Sequence, residues 1–394
     1  MATSAQQMRS YDGHPVLSAG FRPFFLAASA WSALIVPIWI WFYSGHGVGV
    51  SMSWHAHEMV FGYVGGIVGG FLLTAVPNWT GRLPVTGLPL LALFSLWNFG
   101  RLAMVLPAWS GVAAMAADCA FLVVFAALVW REILTGRNWR NLPVAVMITV
   151  LAICNIAYHA GAGMASIRIA LAVILTLISL IGGRIIPSFT TNWLKKQKIA
   201  SLPAAFSKFD LFIVILTGTS LVVWASDRLD VVAGCLLCAA GGLNMVRLVR
   251  WRGLSTSGEP LVWILHIGYA WLAIGLLLLG MATLHTASGF GPDVSQQSGL
   301  HALTAGAIGV MTLAVMTRAS LGHTGRPLVA DQGTTILYLL VNLAAAVRVL
   351  AGFAPQFYLP GLVVSSLLWT GAFGGFCILY GPALLKPRWR SPDV

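Results

Sequence analysis

The sequence predicts an all-α, polytopic membrane protein of about twelve transmembrane helices. Three observations predict it. Hydrophobic residues make up 58 % of the 394-residue chain and charged residues only 9 %, where a soluble chain carries about 25 % charged. Mean hydropathy is +0.85. The apolar residues gather in about twelve runs, each long enough for a bilayer crossing of about 20 residues. A surface so poor in charge stays dispersed only when lipid covers it. A soluble enzyme, a disordered chain and a secreted disulfide scaffold are therefore excluded.

The runs, in order, are Phe21–Tyr43, Trp54–Val76, Leu88–Leu106, Val112–Trp130, Leu142–Ala160, Ile167–Ile186, Leu211–Ala225, Val231–Val249, Leu261–Leu284, Leu300–Met316, Thr334–Phe353 and Leu359–Leu379. Residues 1–20 read as a polar N-terminal segment with no cleavable signal. Residues 21–385 read as one twelve-helix domain and 386–394 as a tail. Charge supports the count. Arg9, Arg82, Arg131, Arg137, Arg140, Lys195, Lys196, Lys198, Lys208, Arg247, Arg250, Arg252, Arg318, Arg326, Lys386, Arg388 and Arg390 fall at every second junction. The other junctions hold Arg168, Arg228 and acids such as Asp227, Asp230 and Asp293. The positive-inside rule then places both termini in the cytoplasm. The same rule accounts for the net charge of +12 with no nucleic-acid partner. The five cysteines lie in apolar runs and read as packing residues. Cys235 and Cys238 form a CxxC with no second pair nearby, a weak redox or metal signal.

An internal repeat runs through the chain. With His57 placed over His301, Gly62 meets Gly306, Gly65 meets Gly309, Thr80-Gly81-Arg82 meets Thr324-Gly325-Arg326, and Asn98 meets Asn342. Helices 2–3 thus resemble helices 10–11. Helix 6 aligns more loosely with helix 10, Arg184 over Arg318. The pattern suggests three four-helix units with pseudo-threefold symmetry, and repeat interfaces commonly carry sites in membrane folds.

Ionisable residues inside spans are costly and mark functional candidates. His55, His57 and Glu58 open helix 2 at the outer face, His301 opens helix 10 there and His159 closes helix 5 there. Arg101, Asp118 and Arg348 lie in outer halves of their helices. Three or four histidines and a carboxylate at one depth are the raw material of a buried metal centre. On a regular helix His57 points about 200° away from His55, so two sites, one per histidine, is the simpler geometry. The same count puts His55, Glu58 and Gly62 on one face. Gly62, Gly66 and Gly70 admit either a close helix or a flat ligand. Asn155 shares a face with His159, and Trp97 with Arg101. His266, His323, Arg184 and Arg326 lie towards the inner face. His266, flanked by Trp263 and Tyr269, reads as a second-site ligand or as a satisfied core histidine. The breaker-rich segments around Arg184 and Arg326 either close the repeats or hold an anionic group.

Four stretches resemble the NnrS family: Gly20-Phe21-Arg22-Pro23-Phe24-Phe25, Trp54-His55-Ala56-His57-Glu58-Met59, Leu265-His266-Ile267-Gly268-Tyr269-Ala270-Trp271, and the run from His301 to Arg326 ending Gly-His-Thr-Gly-Arg. The resemblance implies a haem- and copper-containing bacterial inner-membrane protein of nitric oxide metabolism. A weaker likeness to haem–copper oxidases and nitric oxide reductases lies in His55, Met59, Phe61 and Gly69-Gly70-Phe71 of helix 2 and in His301 of helix 10. That family has a further histidine two positions before the one matched by His301, where this chain has Gly299. The His-His pair of its seventh helix is also absent.

These resemblances set the expectations. His55 and His301 would be axial ligands of a b-type haem, with Arg101 and Arg348 on its propionates. His266, His323, Arg184 and Arg326 are further candidate cofactor contacts. His57, Glu58 and His159 would form or support a second metal site, copper or iron. Glu58, then Asp118, would supply protons for reduction of nitric oxide to N2O. No soluble electron-accepting domain or haem-attachment motif is present, so quinol or a redox protein would donate electrons. The alternatives are a non-catalytic nitric oxide binder or sensor and, third, a solute transporter. Either a monomer or a homodimer is compatible with the sequence.

Overall fold

The computed structural model describes residues 11–47, 49–106 and 111–389. Arg9 and Arg390 of the charge pattern lie outside the described residues. Among the described residues, twelve helices are long and apolar enough to cross a membrane: α1 Phe21–Tyr43, α2 Met52–Thr80, α3 Gly87–Val105, α4 Gly111–Thr135, α5 Trp139–Ala162, α6 Met164–Lys196, α7 Lys208–Ala225, α8 Asp230–Val249, α9 Pro260–Ser288, α10 Gln296–Thr324, α11 Gln332–Ala351 and α12 Pro355–Leu385. No strand occurs among the described residues. The helices coincide with the twelve apolar runs. The largest extension is at α6, which continues to Lys196, ten residues past the apolar run that ends at Ile186.

Successive helices pack side by side, and α12 packs on α1 so that the chain closes on itself. With α9, the helices α2, α6 and α10 are the most buried. These three surround a narrow apolar cavity of about 90 Å³ lined by Ile67, Phe71, Ile174, Ile178, Met311 and Val315. They stand four helices apart in sequence, the interval that the repeat suggests.

Local structure carries the α2/α10 repeat. Each of the two helices has a π-helical segment that starts one residue after the aligned histidine, Glu58–Val64 in α2 and Ala302–Gly309 in α10. Each ends in threonine followed by a glycine with positive φ, Gly81 at +71° and Gly325 at +84°, a left-handed cap that only glycine adopts without strain. In each, the next helix holds an asparagine that donates to the carbonyl four residues back, Asn98 to Phe94 and Asn342 to Tyr338.

The α2 glycines serve packing between helices. A Cβ at Gly66 would meet Ala28 and Trp97, one at Gly70 would meet Phe24 and Phe25, and one at Gly69 would meet Phe121. So α1, α3 and α4 lie directly on the α2 backbone. The second alternative for the glycine run, a flat ligand, finds no room there.

First and last helices are joined by a charge clamp. Arg22 is buried, and its Nη1 donates to the carbonyls of Leu384 at 2.9 Å and Lys386 at 2.7 Å. These are end carbonyls of α12 without a helical partner, and a cation there also opposes the helix dipole. Arg22→Ala should lower the melting temperature of the purified protein, at a cost of about 2 kcal/mol for hydrogen bonds from a charged donor. An unchanged melting curve would show that the clamp contributes nothing.

Candidate functional site

Two polar constellations sit at the end of the bundle opposite the start of α1 and the end of α12, on different sides of α2. The first is a cavity of about 250 Å³ bounded by α1, α2, α6, α10, α11 and α12. Its walls are mainly apolar. His55, His301 and Arg348 face it. His55 lies flat against Trp39, ring centroids 5.2 Å apart and planes 13° from parallel. The buried Nδ1 of His55 has no hydrogen-bond partner. His301 Nδ1 lies 2.7 Å from the Gln297 carbonyl. A carbonyl only accepts, so Nδ1 carries the proton and Nε2 keeps its lone pair. That is the tautomer of a histidine whose outer nitrogen is free to bind a metal. Arg348 spends Nη2 on Tyr358 at 3.3 Å, while its buried Nη1 has no hydrogen-bond partner.

The second constellation is a buried charge cluster held by α1 to α5. Glu58 is 0 % exposed, His57 0 %, Asp118 2 % and Arg101 4 %. Arg101 Nη1 donates to Glu58 Oε2 at 2.7 Å, and Nη2 pairs with Asp118 Oδ1. Trp31 Nε1 donates to the same Glu58 oxygen at 2.9 Å. His57 Nδ1 lies 2.9 Å from Glu58 Oε1, and its Nε2 lies 3.0 Å from Asp118 Oδ2 and 2.9 Å from Asn155 Oδ1. Every neighbour of both ring nitrogens is an acceptor, so both carry hydrogen and the ring is an imidazolium. Two cations then face two carboxylates, and the cluster is neutral. His159 Nε2 donates to Asp118 Oδ2 at 2.9 Å.

Backbone geometry makes this cluster possible. Gly62 sits in the π segment of α2, and a Cβ there would lie 2.4 Å from Arg101 Nη1 and 3.0 Å from Glu58 Oε2. Trp97, one turn before Arg101 on α3, donates to the Gly62 carbonyl at 3.0 Å. The glycine thus admits the guanidinium against the helix. His159 lies in a third π-helical segment, Tyr158–Ala162. Gly161 and Gly163, with φ of +99° and +49°, turn the chain from α5 into α6. All three π segments begin at or beside a candidate histidine, and such segments recur at functional sites.

The geometry sorts the sequence candidates. His55 faces the cavity and His57 the charge cluster, the separation that helix periodicity predicts. His55, His301 and Arg348 meet at the cavity. His57, Glu58, Asp118, Asn155 and His159 meet in the cluster. Three corrections follow. Arg101 does not line the cavity with Arg348, because its guanidinium neutralises two carboxylates on the other side of α2. Glu58 shares a face with Gly62 but not with His55, since it turns towards Arg101 and Trp31. The compact donor group is His57, Asp118 and His159, whose ligand atoms all lie within 4.8 Å of one another. Glu58 supports it through His57 rather than joining it.

The inner-face candidates stand apart from both constellations. His266 is buried, with Nε2 2.8 Å from Thr190 Oγ1 and a buried Nδ1 that has no hydrogen-bond partner, so it is only half satisfied as a core histidine. The His323 ring packs on Phe21 at 5.5 Å. Arg326 donates to Thr324 at 2.9 Å and Arg184 to Asn141 at 3.1 Å. Sequence reading missed Trp31, Trp39 and Gln297. The first two signal themselves only as indoles in an apolar helix, and Gln297 acts through its backbone, which leaves no sequence trace. It also counted Arg247 as a junction charge. Arg247 is 0 % exposed, and donates to Asp210 at 3.0 Å and Tyr269 at 2.8 Å.

Arg101→Met should leave two buried carboxylates facing one imidazolium. Breaking a buried pair costs about 3–5 kcal/mol, so the variant should unfold far below wild type in a thermal scan. Adding Glu58→Gln and Asp118→Asn should restore most of the loss. Failure of that rescue would show that packing, not charge, holds the cluster.

A family model described as NnrS protein matches residues 15–388. No curated protein matches the chain.

Proposed function

The chain belongs to the NnrS family, and from that premise we propose that it is a membrane haem protein that reduces nitric oxide at a separate metal centre. The observation that carries this reading is the pair of cavity histidines. His301 presents an unprotonated Nε2, fixed by Nδ1 on the Gln297 carbonyl, and His55 faces the same cavity with its Nδ1 unpaired. His55 and His301 would hold the iron of a haem there. The free Nη1 of Arg348 fits a propionate. The mainly apolar walls suit a porphyrin. Held by His55 and His301, such a haem would supply electrons.

The cluster fits a second metal. Ligands about 2.1 Å from an ion stand roughly 3 Å from one another. His57 Nε2 and His159 Nε2 lie 3.0 and 2.9 Å from Asp118 Oδ2. Two imidazoles and a carboxylate would hold iron or copper, which would supply the site for nitric oxide. Binding there would displace the proton on His57 Nε2, so metal affinity should rise with pH.

The reaction proposed is 2 NO + 2 e⁻ + 2 H⁺ → N2O + H2O. Quinol or a redox protein supplies the electrons. The chain's own part is proton handling and charge. Glu58 and Asp118 accept hydrogen bonds at their carboxylate oxygens, and the proton to be passed on is held by His57 between them. His159 is the partly exposed member and gives the chain of hydrogen bonds its contact with the outside. Arg101 keeps both carboxylates ionised and in place. By the positive-inside rule the face carrying both termini is cytoplasmic, so both sites lie towards the outer face of a bacterial inner membrane.

A second reading, nitric oxide binding without turnover, rests on one observation. Both carboxylates are fully engaged by cations, and neither holds a free proton for delivery. Product analysis separates the two. Purified wild type should carry haem and a second metal. His55→Ala and His301→Ala should each lose the haem spectrum, while His159→Ala keeps haem and loses the second metal. With an artificial reductant the wild type should form N2O, and Glu58→Gln should lose at least 90 % of that rate with haem retained. Haem and metal without N2O would establish the binder. A colourless, metal-free wild type would overturn both readings.

A further inference from the structure

The polar cavity at the opposite end of the bundle serves neither constellation. It holds about 360 Å³ between the start of α5, the far end of α6 and the loop that leads into α7. Arg140 and Arg184 line it, with Ser188, Thr191 and Asn192 on the same stretch of α6. Arg184 is bonded to a neutral amide, Asn141. Arg140 has no acidic partner among the described residues.

Asp210 is the single acid in the lining, and it is already spent. It accepts from the backbone and hydroxyl of Ser207 at 2.9 Å each and from Arg247 at 3.0 Å, and Arg250 lies 3.6 Å away. One carboxylate therefore stands among four arginines, an excess of three positive charges in and beside the cavity. The hydroxyls are also available. Helical threonines elsewhere donate to the carbonyl four residues back, as Thr149, Thr176 and Thr217 do. The side chains of Ser188, Thr191 and Asn192 make no hydrogen bond among the described residues. The loop that lines the cavity opposite them is pinned by Ala204 N donating to the Arg250 carbonyl at 3.2 Å.

We infer that this cavity binds a phosphate group. Two guanidiniums with no counter-ion, plus two hydroxyls and an amide, are the donor set that phosphate oxygens need. Depth points the same way. At 1.5 Å per residue, the 33 residues of α6 span about 50 Å, against a hydrocarbon core of about 30 Å. The last turns, from Arg184 onward, stand at headgroup level, where basic pockets between helices hold anionic lipids. The phosphate belongs either to such a lipid or to a soluble phosphate compound. The site needs neither haem nor the metal centre, so its test is independent of them.

Delipidated protein in neutral detergent would be titrated with phosphatidylglycerol, bound lipid being counted by native mass spectrometry, and separately with inorganic phosphate, read as a thermal shift. The variants are Arg140→Gln/Arg184→Gln, which removes the charge, and Ser188→Trp, which fills the cavity and keeps both arginines. Lys195→Gln makes a charge change at the same end of α6 outside the cavity. Wild type and Lys195→Gln should bind at least one probe about tenfold more tightly than the other two variants. Preference for phosphatidylglycerol identifies a lipid headgroup. Preference for inorganic phosphate identifies a soluble phosphate ligand. Equal binding of both probes by wild type and all variants would overturn the proposal, as would loss in the double variant without loss in Ser188→Trp.

Discussion

Two carboxylates buried in a chain surrounded by lipid must be neutralised, and the first five helices are arranged around that requirement. An ion in a low-dielectric interior costs several kcal/mol unless it is paired and hydrogen-bonded. Arg101 answers Glu58 and Asp118 together, and His57 bridges the same two acids from the other side. Trp31 satisfies a remaining lone pair. The consequences are steric as much as electrostatic. Position 62 has to be glycine for the guanidinium to reach α2, and α3 has to lie close enough for Trp97 to bond the same residue. The turn at Gly161 and Gly163 delivers His159 to Asp118.

The same logic operates at the other end of the molecule with different residues. Arg247 is fully enclosed by α6, α7 and α9 side chains; Asp210 takes its Nε and Tyr269 and Ser179 its Nη1, while its buried Nη2 has no hydrogen-bond partner. A buried arginine thus organises each half, Arg101 on α3 and Arg247 on α8. In the first half the charges are surrounded by histidines, which can exchange protons for a metal. In the second half they adjoin an open cavity with positive charge to spare. The two arginine centres have similar structural work and different chemical surroundings.

Helix α2 separates the two candidate centres while linking them. His55 and His57 are two residues apart, yet one faces the apolar cavity and the other the charge cluster. Three helical hydrogen-bond defects, in α2, α5 and α10, lie beside His57, His159 and His301. Widening a helix locally re-aims the side chains at its margin and loosens the regular ladder. This favours a rigid bundle whose irregular turns are confined to the layer where chemistry is proposed.

Much of this was readable from residue order. Twelve apolar runs of bilayer length, with basic residues at alternate junctions, could become little else than twelve spans, since backbone groups in lipid must pair within helices. The repeat was visible as His57 over His301, and helix periodicity alone sent His55 and His57 to different sites. Partnership among distant ionisable groups was a different matter. Arg101 and Arg348 lie at similar depth in comparable apolar helices, and nothing local says that one meets two carboxylates and the other a cavity. Arg247 looked like one more junction charge. Glu58 followed Arg101 rather than the face of His55, and Asp118 took the place next to His57 and His159. Periodicity and hydropathy are properties of a single helix, so the sequence carried them. Which charges neutralise one another depends on how twelve helices pack, and the free energy of pairing in a low dielectric decides it only once they are together.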